Sequence, residues 1–238
     1  MESSGLIVEK FIKYVTEEDV FSDELRIPCG YASKLGDLVG EKLLLKLKTG
    51  YCLEVTYNKG LGKMIGVEAL YSDFHLEGGE LLVFEFAGDG NFNVYIIGRD
   101  FCEVEYPNVV HALQEIGPRK VSLVKGGLKF VKFVTESEPI LDYMVAPISF
   151  AERCIHPLSL KCFVRYVLPN GKKINGLYDE LTYKFSGLQT IPELLGNADL
   201  NSFNMLLLSY TEGAHLTISI FDDNFVEVFF PGSPLSTL

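Results

Sequence analysis

The chain repeats itself. Residues 11–19 read FIKYVTEED and residues 130–138 read FVKFVTESE, with five of nine positions identical at an offset of 119. Residues 101–107, FCEVEYP, return at 225–231 as FVEVFFP, with four of seven identical at an offset of 124. Each of these last strings follows two apolar runs around a Gly-containing turn: LLVFEF (81–86) and NFNVYII (91–97), then MLLLSY (205–210) and HLTISIF (215–221). Matched strings in the same order mark a duplication. One copy occupies 8–107 and the other 127–232, with 108–126 as linker. The difference in offset predicts a modest insertion in the middle of the second copy. Within the linker, Asn108–Ile116 suits two helical turns that Gly117-Pro118 would stop.

The copies read as mainly β. In the first, FIKYV ends a strand, a polar loop covers Thr16–Glu24, and Leu25–Pro28 is a short strand. Tyr31–Val39 has Ala32, Leu35 and Leu38 at helical spacing. Lys42–Lys48 alternates and meets Tyr51–Tyr57 across Thr49-Gly50, a hairpin signal. A Gly- and Lys-rich loop, Asn58–Lys63, leads to a second helix at Val67–Phe74. The hairpin 80–97 and a last strand, Cys102–Tyr106, complete about seven strands and two helices, the spacing of a small barrel or sandwich. In the hairpins, Phe84, Val94, Leu207 and Ile218 are expected to point into the cores.

Charge and cysteine usage narrow the setting. The net formal charge is −11. It is unevenly spread: residues 1–107 hold ten basic and nineteen acidic side chains, and residues 119–184 hold eleven and six. An acidic chain repels nucleic acid and anionic membrane unless cations gather locally. No run approaches the ~18 apolar residues of a membrane span, and the first residues do not read as a signal peptide. Five cysteines without a Cys-x-x-Cys pair suit reduced thiols in the cytosol or nucleus.

The order of motifs resembles the plant B3 DNA-binding domain. The resemblance covers roughly 8–107 and rests on Leu25-Arg26-Ile27-Pro28, on Leu76-x-x-Gly-x-x-Leu-x-Phe84 and on Cys102-Glu-Val-Glu-Tyr-Pro107. The second copy is similar but degenerate. It keeps GLYDELTYKFSGL (176–188), Leu206–Tyr210, SIFD (219–222) and Phe225–Pro231. The tandem is similar to the reproductive-meristem branch of that family. The resemblance implies two seven-stranded DNA-binding pseudobarrels, each with two short α-helices. It also implies two loop arms that grip the major groove of double-stranded DNA. Carried over by position, these are Thr16–Arg26 and Tyr57–Lys63, and in the second copy Thr135–Met144 and Leu177–Phe185. This sequence departs from the family at Gly66-Val67, where Gly-Trp is usual, and in its first arm. That arm carries Glu17, Glu18, Asp19, Asp23 and Glu24, with Arg26 as its only cation.

The residues expected to contact DNA are Thr16, Ser22, Arg26, Tyr57, Asn58, Lys59 and Lys63. Lys59 and Lys63 suit phosphates, or simply solvate a hairpin loop. Asn58 suits a base edge. Arg26 suits a phosphate or a guanine, or pairs with Glu24 or another nearby acid. The hydroxyls of Thr16 and Ser22 suit phosphate and equally suit turn backbone. No catalytic, metal or cofactor site is expected. The four histidines are scattered, Gly88-Asp-Gly90 lacks the Lys-Ser/Thr of a phosphate loop, and no Gly-x-Ser-x-Gly occurs. The resemblance implies a nuclear transcription regulator. The alternative is a protein-interaction or dimerisation module on the same fold, with little DNA affinity, which pairs with itself or with other regulators.

Overall fold

In a computed structural model, residues 10–35, 39–107, 127–137, 139–154, 161–211 and 214–230 are described. The expected linker helix, Leu38 and Pro231 lie outside them. The described residues form two compact units. One is built on 10–99 with 104–107, and the other on 100–103 with 127–230.

The first unit holds strands β1 (Lys10–Tyr14), β2 (Glu24–Arg26), β3 (Lys42–Lys46), β4 (Cys52–Asn58), β5 (Lys63–Ile65), β6 (Leu81–Phe86) and β7 (Asn91–Ile97). Helices α1 (Cys29–Leu35) and α2 (Glu68–Asp73) accompany them. The sheet order is β1-β6-β7-β3-β4-β5-β2. All neighbours are antiparallel except the parallel β3–β7 pair. β1 and β2 are the two sheet edges and do not pair with each other, so the ring is a pseudobarrel. The buried ring of Tyr31 on α1 lies 4.7 Å from Phe11 on β1. Seven strands are present, but not the seven read from the sequence. β5 lies where the sequence suggested only loop and turn, and Cys102–Tyr106 forms no strand but only isolated bridges, Cys102 with Phe130 among them. Three residues are too short for alternation to show.

The second unit repeats the plan with β8 (Leu128–Phe133), β9 (Tyr143–Val145), β10 (Lys161–Val167), β11 (Lys173–Asp179), β12 (Lys184–Ser186), β13 (Met205–Thr211) and β14 (His215–Phe221). Helices α3 (Ile148–Arg153) and α4 (Ile191–Leu194) match α1 and α2. The order β8-β13-β14-β10-β11-β12-β9 is the same topology. Backbone irregularities repeat too. Phe101 and Phe225 both have φ near +60°, rare for a bulky residue. The pairings show two insertions rather than one. Leu25 matches Met144 at an offset of 119, Met64 matches Phe185 at 121, and Phe84 matches Leu208 at 124. Two extra residues therefore fall beside α3 and three beside α4.

The two cores fill the same frame differently. In the first, Phe11 stacks on Phe84 with centroids 4.6 Å apart, and Phe92 meets both edge-on. In the second the equivalents of Phe84 and Phe92 are Leu208 and Leu216, and the aromatic bulk sits across the barrel. Phe130 packs on Phe150 at 4.5 Å, and Tyr178 on Phe185 at 4.6 Å. Tyr166 and Gly176 stand where the first unit has Leu45 and Val55. A Cβ on Gly176 would come 2.2 Å from the Tyr166 ring, so the ring takes the space of the missing side chain. Aromatic bulk is redistributed within one frame, and cores tolerate such exchanges when the patterning is kept.

Phe84 and Val94 point inward as expected, as does Ile218. Leu207 does not. Leu206 and Leu208 face the core, and Leu207 is buried on the opposite face, paired with Val131 and Ser219. MLLLSY is apolar at four consecutive positions, so its phase is invisible to a period-2 reading.

Candidate nucleic-acid interface

The first arm leaves β1 through a tight contact. Gly79 N–H donates to the Val15 carbonyl at 2.7 Å, and Val15 N–H donates to that of Glu80 at 2.9 Å. The buried Glu80 carboxylate accepts from Gly78 N–H at 2.9 Å, and Arg99 Nε lies 3.4 Å from it. Gly78 has φ +98° and sits against the Glu17 backbone, where a Cβ would come within 2.7 Å. Backbone approach that close needs glycine.

Within the arm, Asp19 is the organiser. Its Oδ2 accepts from the Thr16 N–H and the Thr16 hydroxyl, both at 2.8 Å, and lies 2.8 Å from Lys13 Nζ. Burial pushes the Asp19 carboxyl up, but the bonds from Lys13 and Thr16 outweigh it and hold the group below the ordinary aspartate value. Ser22 serves its own turn, accepting from Glu24 N–H at 3.1 Å. The far end of the arm is tied down by Asp23, whose carbonyl accepts from Gly66 N–H at 2.9 Å and whose carboxylate accepts from Glu68 N–H at 3.3 Å. Both hydroxyls expected at phosphates are thus engaged in arm backbone.

Pairing joins the two arms. β2 lies antiparallel to β5 and β5 to β4, so Arg26, Lys63 and Asn58 form one cross-strand row. Ile27 N–H donates to the Gly62 carbonyl at 2.9 Å, which fixes the second arm against the first. Asn58 Oδ1 accepts from Leu61 N–H at 3.1 Å and closes the β4–β5 turn that carries exposed Lys59. Lys63 pairs with the Glu24 carboxylate. The Arg26 side chain is exposed, and its guanidinium has no ion-pair partner among the described residues. Tyr57 is placed differently from the other candidates. Its ring is buried at 3 % exposure and its hydroxyl donates to the Ala32 carbonyl at 3.3 Å, which makes it part of the core beneath the arm. Burial pushes its phenol up.

Two cations of the second copy are engaged within their own unit. Arg119, Lys120 and Lys125, in the linker, lie outside the described residues. Lys129 is buried, its ammonium 3.2 Å from Ser209 Oγ. Arg153 bonds the Glu103 carbonyl within its own unit. In the row equivalent to Arg26, Lys63 and Asn58, the second unit has Val145, Lys184 and Asp179. Sequence reasoning missed Glu24 as the partner of Lys63 and Lys13 as the partner of Asp19. Only strand register brings Lys63 and Glu24 together, across 39 residues.

Among the described residues no cluster of three His, Cys, Asp or Glu side chains fits a metal ion. No helix among them is long and apolar enough to cross a membrane. No disulfide joins the five cysteines, all of them described residues, and burial pushes the Cys154 thiol up to about 11, away from the reactive thiolate.

The fold and the arms together define a mainly β protein of two seven-stranded pseudobarrels, with a loop-built polar edge on the first. Its curated relatives are B3 domain-containing plant proteins. One from Oryza sativa subsp. japonica is 28 % identical over 118 residues, covering 48 % of this chain and 24 % of its own length. One from Arabidopsis thaliana is 29 % identical over 111 residues, covering 44 % of this chain and 58 % of its own. The chain therefore spans about a quarter of the first relative and just over half of the second. A solved structure of a hypothetical Arabidopsis thaliana protein is 26 % identical, covering 41 % of this chain and 96 % of that one, with a TM-score of 0.35. No protein-family model matches the chain.

Proposed function

We propose that the protein is a nuclear regulator of transcription that binds double-stranded DNA sequence-specifically. In this reading the two arms of the first unit grip the major groove. One observation carries it: the β2–β5–β4 register sets Arg26, Lys63 and Asn58 in one row, beside Lys59, from arms far apart in sequence. Arg26 suits bidentate contact with guanine, Asn58 a base edge, and Lys59 a phosphate. Thr16 and Ser22 serve by shaping the arm, and Tyr57 by supporting it.

Fluorescence anisotropy with a pool of random duplexes at low salt tests this. Binding is expected, and it should weaken for Arg26→Ala. After selection of a preferred sequence, Arg26→Ala should also lose discrimination, by about 1–3 kcal/mol at one base pair. Absence of binding to any duplex at low salt overturns the reading. The interaction-module reading has its own support, because acids of the arm already engage Lys13 and Lys63.

A further inference from the structure

The outer face of β3–β4–β5–β2 carries two cross-strand rows in the first unit: Lys42, Thr56, Ile65 and Glu24, then Asn58, Lys63 and Arg26. The same rows in the second unit read Phe163, Leu177, Ser186 and Tyr143, then Asp179, Lys184 and Val145. These side chains face outward, because the alternating residues Val164, Tyr178, Phe185 and Met144 are buried. Phe163 is 80 % exposed, and Leu177, Tyr143 and Val145 are exposed beside it. The place that holds a polar edge in one copy holds an apolar face in the other. Apolar side chains gathered on one exposed face mark an interaction site, and the positions that hold Lys42, Glu24 and Arg26 in the first unit hold Phe163, Tyr143 and Val145 here.

Charge selects the occupant. Arg165 and Lys173 stand on the same face of β10 and β11, and the Lys184 ammonium lies 4.2 Å over the Tyr143 ring. Asp179, opposite Lys184, is the acid of the two rows. Two such faces pressed together would set Arg165, Lys173 and Lys184 against their own copies, which disfavours a symmetric pair. The matching surface is acidic with an aromatic anchor. The first unit has one: the arm Glu17–Glu24 reads EEDVFSDE, and Phe21 at its apex is 88 % exposed.

We propose that the outer face of β9–β12 in one chain receives the Glu17–Glu24 arm of a second copy of this chain. Phe21 seats on the Phe163–Leu177–Tyr143 row, and the Glu17 and Glu18 carboxylates face Arg165, Lys173 and Lys184. The contact is heterologous, so it extends head to tail. It goes beyond the DNA reading and competes with DNA for the same arm.

Sedimentation velocity of the full chain, from micromolar to submillimolar concentration, tests it with Phe21→Ser and Phe163→Ser. Both residues are exposed, so both variants should fold, with circular dichroism as the check. The wild type should assemble with rising concentration, less so in high salt. Each variant alone should remain at the 26.6 kDa of one chain. Mixed together they should form a one-to-one pair of about twice that mass, because each keeps one intact half of the contact. A wild type that stays monomeric throughout overturns the proposal. So does assembly that survives Phe21→Ser, which would mean a different occupant. Loss of duplex affinity in Phe163→Ser without assembly of the wild type would assign the face to DNA instead. The Arg26→Ala anisotropy measurement is separate, so failure of either reading is visible alone.

Discussion

At the residue scale, the arms show how a carboxylate decides what a lysine can do. Lys63 is held by Glu24, and an ion pair must be surrendered before Lys63 can meet a phosphate. Glu24→Gln should therefore tighten binding to all duplexes alike. It should also steepen the dependence of log affinity on log salt by up to ~0.9, the share of one phosphate. Lys59→Ala should make that dependence shallower by a similar amount. A salt titration by anisotropy reads both, and unchanged slopes would remove these residues from the interface. Asp19 makes a prediction about pH. Its carboxyl is held below the ordinary aspartate value in the folded arm, so as pH falls the unfolded chain takes up the proton first. The contribution of Asp19 is thus fully present above the ordinary value near 3.9 and lost as pH drops through the lower, folded one. Protection of the Thr16 and Asp19 amides, taken relative to their intrinsic exchange rate at each pH, should hold at pH 5 and fall only below the ordinary aspartate value. Asp19→Asn should remove that acid limb.

At the scale of elements, two glycines separate space from conformation. Gly176 on β11 has no room for a Cβ, which would come 2.2 Å from the Tyr166 ring and 2.3 Å from the Ser186 carbonyl oxygen. Tyr166 is itself pinned, its hydroxyl donating to that carbonyl at 2.9 Å. Gly176→Ala should cost about 1–3 kcal/mol through overpacking, and Gly176→Val more. Gly30 in α1 meets nothing within 4 Å, so Gly30→Ala should stabilise the first unit by about 0.5–1 kcal/mol. Thermal unfolding of the two variants should move in opposite directions.

At the scale of the molecule, each unit has its own aromatic cluster. Phe84→Ala should cost about 3–5 kcal/mol in the first unit. Calorimetry should then show the first unit melting earlier while a second transition stays in place; one transition moving whole would argue for a shared fate. The segment Asp100–Glu103 complicates any cut between the copies. Phe101 and Glu103 exchange backbone hydrogen bonds with Val131 and Lys129 on β8, at 2.8 Å each, and the Glu103 carboxylate accepts from Lys129 N–H at 3.1 Å. A truncated chain starting at Asp100 should therefore be more stable than one starting at Gly126, by urea unfolding of the purified fragments.

The sequence by itself determined the strand-rich class and the repeat that the two seven-stranded sheets share. Repeated strings, alternation and turn residues are local signals that survive without contacts. Elements long enough to show a period, such as β3, β4 and the β6–β7 hairpin, were legible for the same reason. Register, phase and pairing were not. Whether Leu207 or Leu208 faced the core depended on which strands flanked β13. That Tyr57 lay under the arm rather than on it followed from α1 packing against β4. That Lys63 met Glu24, and that the second copy turned an apolar row outward where the first is polar, came only from strands joined across the sheet. These are choices between nearly equivalent local patterns, and burial against distant partners makes them.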